Sequence, residues 1–91
     1  MEITLKEKAR LLRTLGHPVR LRIIAGLAGH SACVNEIWGC LGMPQAVVSQ
    51  HLKVMKENGI VNADRQGTKI RYSLKDEMLA DLTRVLGLVP D

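Results

Sequence analysis

Phenylalanine is missing from this sequence, and Trp38 and Tyr72 are its only aromatic residues. Its core must therefore be built from Leu, Ile, Val, Met and Ala. Cysteine is scarce: two residues, too few for the disulfide framework of a small secreted domain. No apolar run approaches the roughly 18 residues of a membrane span. The opening stretch MEITLKEKARLLRTL carries charges throughout, so it does not have the form of a signal peptide. Linkers, low-complexity tracts and internal repeats are absent. Paired carboxylates, a nucleophile–base set and a glycine-rich phosphate loop are absent too, and the eight glycines are scattered at helix ends and turns. These absences exclude a secreted scaffold, a membrane protein and an enzyme. They leave a cytoplasmic domain with reduced thiols.

What is present is one short, basic, globular chain. The 91 residues are 46% hydrophobic and are read as a single domain over 1–91. A domain of this size has a marginal core and gains stability by oligomerising. The net charge of +4 and a pI near 9.4 point toward a polyanionic partner, although a solvated basic face is the commoner cause.

Apolar spacing orders the elements. Residues 3–15 place Ile3, Leu5, Ala9, Leu12 and Leu15 in a broad stripe, which is helix spacing. Gly16-His17-Pro18 closes this helix and opens a second over 18–28, with Val19, Leu21, Ile23, Ile24 and Leu27 inward. Ser31 is the expected N-cap of a third helix running to Leu41. Gly42 stops it, and Pro44 starts a fourth helix that Asn58-Gly59 closes. The period then changes. Ile70, Tyr72 and Leu74 alternate with Lys69, Arg71 and Ser73 after a Gly67 turn, which predicts a two-stranded hairpin with one wet face. Ser73 to Asp76 has the form of a capping box for a last helix with Met78, Leu79, Leu82, Val85 and Leu86 on one side. The expected fold is mainly α with a small β-hairpin, in the order α-α-α-α-β-β-α: a winged helix-turn-helix.

The fourth helix is the expected reading element. Val48, Leu52 and Met55 share its inner face, with His51 on the flank. The opposite face carries Gln45, Ala46, Ser49, Gln50 and Lys53, with no acid. Glutamine can bond two atoms of an adenine edge, and alanine or serine can lie against a thymine methyl. Lys53 and Lys56 suit phosphates, which supply affinity without sequence. Arg65, Lys69 and Arg71 gather around the hairpin turn with only Asp64 opposing them, and a basic tip can reach the backbone or minor groove. Fold order and charge placement together favour double-stranded DNA as partner. A protein-binding winged-helix module is the competing reading, and salt dependence separates the two.

Three segments carry a resemblance: LGHPVRLRII (15–24), VSQHLKVMKENGIV (48–61) and RQGTKIRYSL (65–74). In order and spacing they resemble the ArsR/SmtB family of winged-helix repressors. That resemblance implies a homodimer through the first and last helices, repression of a promoter, and release of the operator when an inducer binds. It implies that Ser49, Gln50 and the residues before them read bases, and it makes His17 a structural residue. Wide apolar faces on the first and last helices agree with a dimer, whose paired reading helices would lie about 34 Å apart on a partly palindromic operator.

The two cysteines raise the question of an inducer. In a helix, Cys33 and Cys40 would share a face but sit about 10 Å apart along the axis, whereas a disulfide needs Cα atoms within roughly 7 Å. They cannot bridge within an intact helix. A place in the first helical turn would favour a Cys33 thiolate, with His30 near by as a further ligand or base. Cys40, next to Leu41 at the turn, reads as a small core residue or a second sensor. Among the sites the resemblance implies, the zinc site of the last helix needs histidines that Asp76, Glu77 and Asp81 do not have beside them. The arsenite motif Cys-x-Cys-x-x-Cys finds only Cys33, with Asn35 and Trp38 in the other places. The sensing candidates are thus Cys33 and Cys40, with His30 as a further metal-ligand candidate. Arsenite or antimonite, another thiophilic ion, a reactive sulfur or oxidant species, and no inducer at all stay open.

Overall fold

A computed structural model describes residues 4–29 and 32–88, without the side chains of residues 33, 34, 35, 38 and 40. The expected Ile3, His30 and Ser31 positions lie outside the described residues. Helix α1 (Leu5–Leu15) starts at Thr4, whose hydroxyl accepts the Glu7 N–H at 3.1 Å. Its apolar stripe divides. Leu11 and Leu15 turn toward the core, while Leu5 and Leu12 are 84% and 57% exposed. Helix α2 (Pro18–Leu27) has Pro18 in its first turn and His17 as N-cap, its ring accepting the Val19 N–H at 3.2 Å. Ile23, Ile24 and Leu27 enter the core, with Val19 and Leu21 packed at its edge.

A short strand not foreseen in the sequence, β1 (Ala32–Cys33), comes next and leads directly into α3 (Val34–Leu41). The third helix therefore begins at Val34, and Cys33 lies in a strand rather than in a helical first turn. The turn Gly42-Met43-Pro44 leads to α4 (Gln45–Glu57), with Pro44 as N-cap. Its C-terminus closes as a Schellman motif. The Gly59 N–H donates to the Lys56 carbonyl at 3.2 Å and the Ile60 N–H to the Met55 carbonyl at 2.8 Å. This places Gly59 at φ +74°, a left-handed conformation that glycine adopts freely.

Strands β2 (Val61–Gln66) and β3 (Lys69–Leu74) form the hairpin, with Gly67 at φ +66° in the turn. The sheet has three strands in the order β1-β3-β2, all antiparallel, with Ala32 opposite Tyr72 and Cys33 opposite Arg71. An isolated hairpin is marginal in water. Here β3 is clamped on both sides, and buried Tyr72 packs with Ile60, Val61 and Ala32. Helix α5 (Glu77–Val85) is capped by Asp76, whose carboxylate accepts the Met78 N–H at 2.9 Å. The expected capping box from Ser73 does not form, because Ser73 still belongs to β3. Leu79 is buried, whereas Met78, Val85 and Leu86 are exposed.

The core joins Leu15, Ile23, Ile24, Leu27, Val48, Leu52, Met55, Ile60, Val61 and Leu79, all aliphatic or methionine, together with the aromatic ring of Tyr72. The expected helix order and hairpin are thus present, with β1 added. Among the described residues no helix is long and apolar enough to cross a membrane.

Candidate nucleic-acid interface

Helix α4 is held by one side. Val48, Leu52 and Met55, at helical spacing, are completely buried. Burial of a side chain of this size is worth about 1.5–3 kcal/mol. The three together fix which side of the helix faces water. Gln45, Ala46, Gln50, Lys53 and Lys56 are exposed on that side, and Ser49 is half-buried. The only acid among the exposed residues, Glu57, closes the C-terminal end. Pro44 provides no side-chain cap for the Gln45 and Ala46 N–H groups at the start of α4, while the Val47 N–H donates to the Pro44 carbonyl at 3.1 Å. Such a terminus favours an anion. Val47, which the periodicity argument passed over, is also exposed and lies between Ala46 and the glutamine that follows one turn on. Its β-branched methyl groups are suited to a thymine methyl, as alanine's is.

The hairpin presents its cations in a different arrangement from the expected cluster. Cross-strand register places Arg65 with Ile70, and Ala63 with Tyr72, on one face. Asp64 faces Arg71, and Gln66 faces Lys69, on the other. Arg65 and Lys69 are exposed at the tip. Arg71 is half-buried two residues farther back, 3.8 Å from the Glu36 carboxylate on α3 and opposite Asp64. A period of two separates residues that adjacency in sequence had grouped. The tip cations are thus Arg65 and Lys69, on opposite faces, while Arg71 ties the hairpin to α3.

Behind α4, two histidines and an arginine meet. The His17 and His51 rings stand edge to face, with centroids 4.6 Å apart and planes at 64°. The Arg20 Nε donates to His51 Nδ1 at 3.1 Å, and its Nη1 donates to the Thr14 carbonyl at 3.0 Å. Burial, then the His17 ring, then the Arg20 cation hold His51 below the usual histidine range. Arg20 was visible in the sequence only as part of the resemblance; nothing in apolar periodicity marks a polar residue that reaches across to another helix.

The cysteine readings change with β1. Cys33 and Cys40 do not lie in one helix: Cys33 is paired into the sheet opposite Arg71, and Cys40 is in the last turn of α3. Their side chains, and His30, lie outside the described residues. Among the described residues no group of three or more His, Cys, Asp or Glu side chains is placed to hold a metal ion. Of the acids expected on the last helix, Asp76 caps α5 and Asp81 pairs with Arg84 at 2.6 Å, while Glu77 is exposed in the first turn.

The family model for bacterial regulatory proteins of the arsR family matches residues 17–63. The chain is 43% identical over 72 residues to the transcriptional repressor SmtB of Mycobacterium tuberculosis, covering 79% of this chain and 53% of that protein. It thus spans about half the length of that relative. Its fold is similar to the crystal structure of the transcriptional repressor PagR of Bacillus anthracis, with a TM-score of 0.82 and 36% identity over 90% of this chain and 94% of that one. A homodimeric winged helix-turn-helix DNA-binding domain from Mycobacterium bovis superposes with a TM-score of 0.83 and 31% identity, over 92% and 78% of the two chains.

Proposed function

Since the chain belongs to the arsR family of bacterial regulatory proteins, we propose that it is a homodimeric, sequence-specific DNA-binding repressor of transcription acting in the cytoplasm. One observation carries this reading. Helix α4 buries its aliphatic side and exposes a face of glutamine, alanine, valine and lysine, with a basic hairpin tip in the same domain. Gln45, Ala46, Val47 and Gln50, with Ser49 beside them, read base edges in the major groove. Lys53, Lys56, Arg65 and Lys69 bind phosphates. Arg71 reaches the backbone only as far as its contact with Glu36 allows. The exposed Leu5 and Leu12 of α1, Val85 of α5 and Leu86 at its C-cap supply the dimer interface, and the homodimeric mycobacterial domain supports a dimer.

A thiophilic or thiol-reactive inducer acts at Cys33. The pairing of β1 with β3 supports a route into the hairpin, because a displaced Cys33 pulls on the strand that carries Lys69 and Arg71. Cys33→Ser would then keep operator affinity and lose the response to arsenite, antimonite or persulfide. An unchanged response removes the inducer part and leaves the repressor.

The decisive experiment is binding of the protein to a duplex selected from a random-sequence pool, measured as a function of salt. With four phosphate-directed cations per protomer, the logarithm of affinity should fall with the logarithm of salt at a slope of about −4 to −7 for the dimer. Affinity for a protein ligand with little salt dependence, and none for any duplex, would show an interaction module instead.

A further inference from the structure

We propose that Arg20 is a positioning residue for the DNA-reading helix: anchored on the end of α1, it holds α4 through neutral His51, so that protonating His51 loosens the grip on the operator. The inference rests on the repressor reading above and adds a point of control that the reading does not contain.

The apolar contacts of Val48, Leu52 and Met55 hold α4 to the core without fixing its direction, since burial is non-directional. Direction comes from hydrogen bonds, and α4 receives one from outside its own helix and turns at His51. Arg20 makes this bond as the middle of a chain. Its Nη1 binds the carbonyl of Thr14, one of the last-turn carbonyls of α1 that lack a helical partner. Its Nε binds His51 Nδ1. The Thr14 side chain is itself buried and bonded to the Arg10 carbonyl at 2.9 Å, so the anchor is firm. The end of α1, the start of α2 and the middle of α4 are thereby joined through one guanidinium, whose planar fork suits two simultaneous bonds.

The acceptor role fixes the state of His51. With Nδ1 accepting, the ring proton is on Nε2 and the ring is neutral. A second proton would occupy Nδ1, remove the acceptor and set an imidazolium against Arg20. The groups facing His51 offer no relief. From α2 it meets the Arg20 cation and from the α1–α2 junction the His17 ring. The other elements packed on α4 are α3, whose Glu36 carboxylate faces Arg71, and β2, whose Asp64 and Arg65 are exposed on the hairpin. On α4 itself, the residues one turn away are Val47, Val48, Val54 and Met55, none of them titratable. The lowered affinity of His51 for protons agrees with this surrounding. Val47 lies one turn before His51 and Gln50 beside it, so a shift at His51 moves two residues of the reading face.

The test uses the full chain and a duplex selected by the wild-type protein at about pH 8, with dissociation constants followed down to about pH 4.5, past the usual histidine range because His51 is held below it. His51→Asn places an amide oxygen where Nδ1 stands; it keeps the acceptor and cannot titrate. On acidification the wild type should weaken about three- to tenfold more than His51→Asn, the factor for one hydrogen bond. Arg20→Ala should lose a similar factor at about pH 8 and show little further pH dependence. Parallel pH profiles for wild type and His51→Asn would overturn the proposal. So would Arg20→Ala that lowers thermal stability while retaining the wild-type profile, since that is a merely structural role. NMR of the wild type without DNA keeps the test independent of variant folding. The Arg20 Nε–H should be protected above the His51 titration and lost through it, and a signal indifferent to pH overturns the proposal. A wild type that selects no duplex at any pH fails the repressor reading itself, a result distinct from binding without the pH difference.

Discussion

At the scale of single residues, position on α4 decides what a side chain contributes. Gln50 and Lys53 are both exposed, three residues apart, yet they differ in chemistry. Gln50→Ala should cost about 1–3 kcal/mol at one base position and relax the preference there. Lys53→Ala should weaken all sequences alike and reduce the salt slope by about one per protomer. Competition assays with single-base variants of the selected duplex, repeated at several salt concentrations, distinguish the two. His51 makes a further prediction about the protein alone. Its proton affinity is depressed in the folded chain, so its contribution to stability is complete above pH 6.5 and is lost as pH falls through the lower native value. Urea unfolding from neutral to mildly acidic pH should show that decline in the wild type and a weaker one in His51→Asn. Aliphatic residues were the readable ones here. Val48, Leu52 and Met55 repeat at the helical period, and the structure buries all three. Arg20 and Glu36 were not readable in this way, because each acts on a partner far away in sequence and no local pattern records it.

At the scale of elements, junctions carry the architecture. Gly59 ends the reading helix and starts the hairpin, and nothing lies within 4 Å of where a Cβ would be. The cost of Gly59→Ala is therefore conformational, about 1–2 kcal/mol for a left-handed alanine. Thermal unfolding should show that loss, and a cost near zero would mean that the backbone relaxes out of the Schellman geometry. Helices α2 and α4, with Pro18 and Pro44 at their starts and Asn58-Gly59 at the end of α4, were legible because their punctuation is local. Strand β1 was not. Two residues have no period, and Ala32-Cys33 becomes a strand only because β3 offers an unpaired edge. That contact also displaced the start of α3 to Val34 and removed the helical argument for the Cys33 thiolate. The Asp76 cap was similarly hidden: Ser73 had the right spacing, but the strand extends through it to Leu74.

At the scale of the whole molecule, the folded chain leaves part of its apolar surface outside. Leu5, Leu12, Val85 and Leu86 are all more than half exposed, on the first and last helices. In the proposed dimer these residues are covered by the second copy. Leu12→Glu together with Val85→Glu should leave a folded monomer in sedimentation, with operator affinity reduced at least about a hundredfold through loss of paired half-sites. A double variant that stays dimeric would move the interface elsewhere. The sequence showed that α1 and α5 have wide apolar faces. It did not show how each face divides, because Leu11 and Leu12, or Leu79 and Met78, are separated only by what packs against them.

In the proposed dimeric repressor, the leucines and valine left on the outside also set a threshold in the cell. A chain that must meet its twin before it can grip two half-sites has, at low abundance, an occupancy that rises roughly as the square of the number of chains made. Halving synthesis then removes about three quarters of the silencing complexes. On that proposal, control of expression level is a means of relieving repression that requires no small molecule at all.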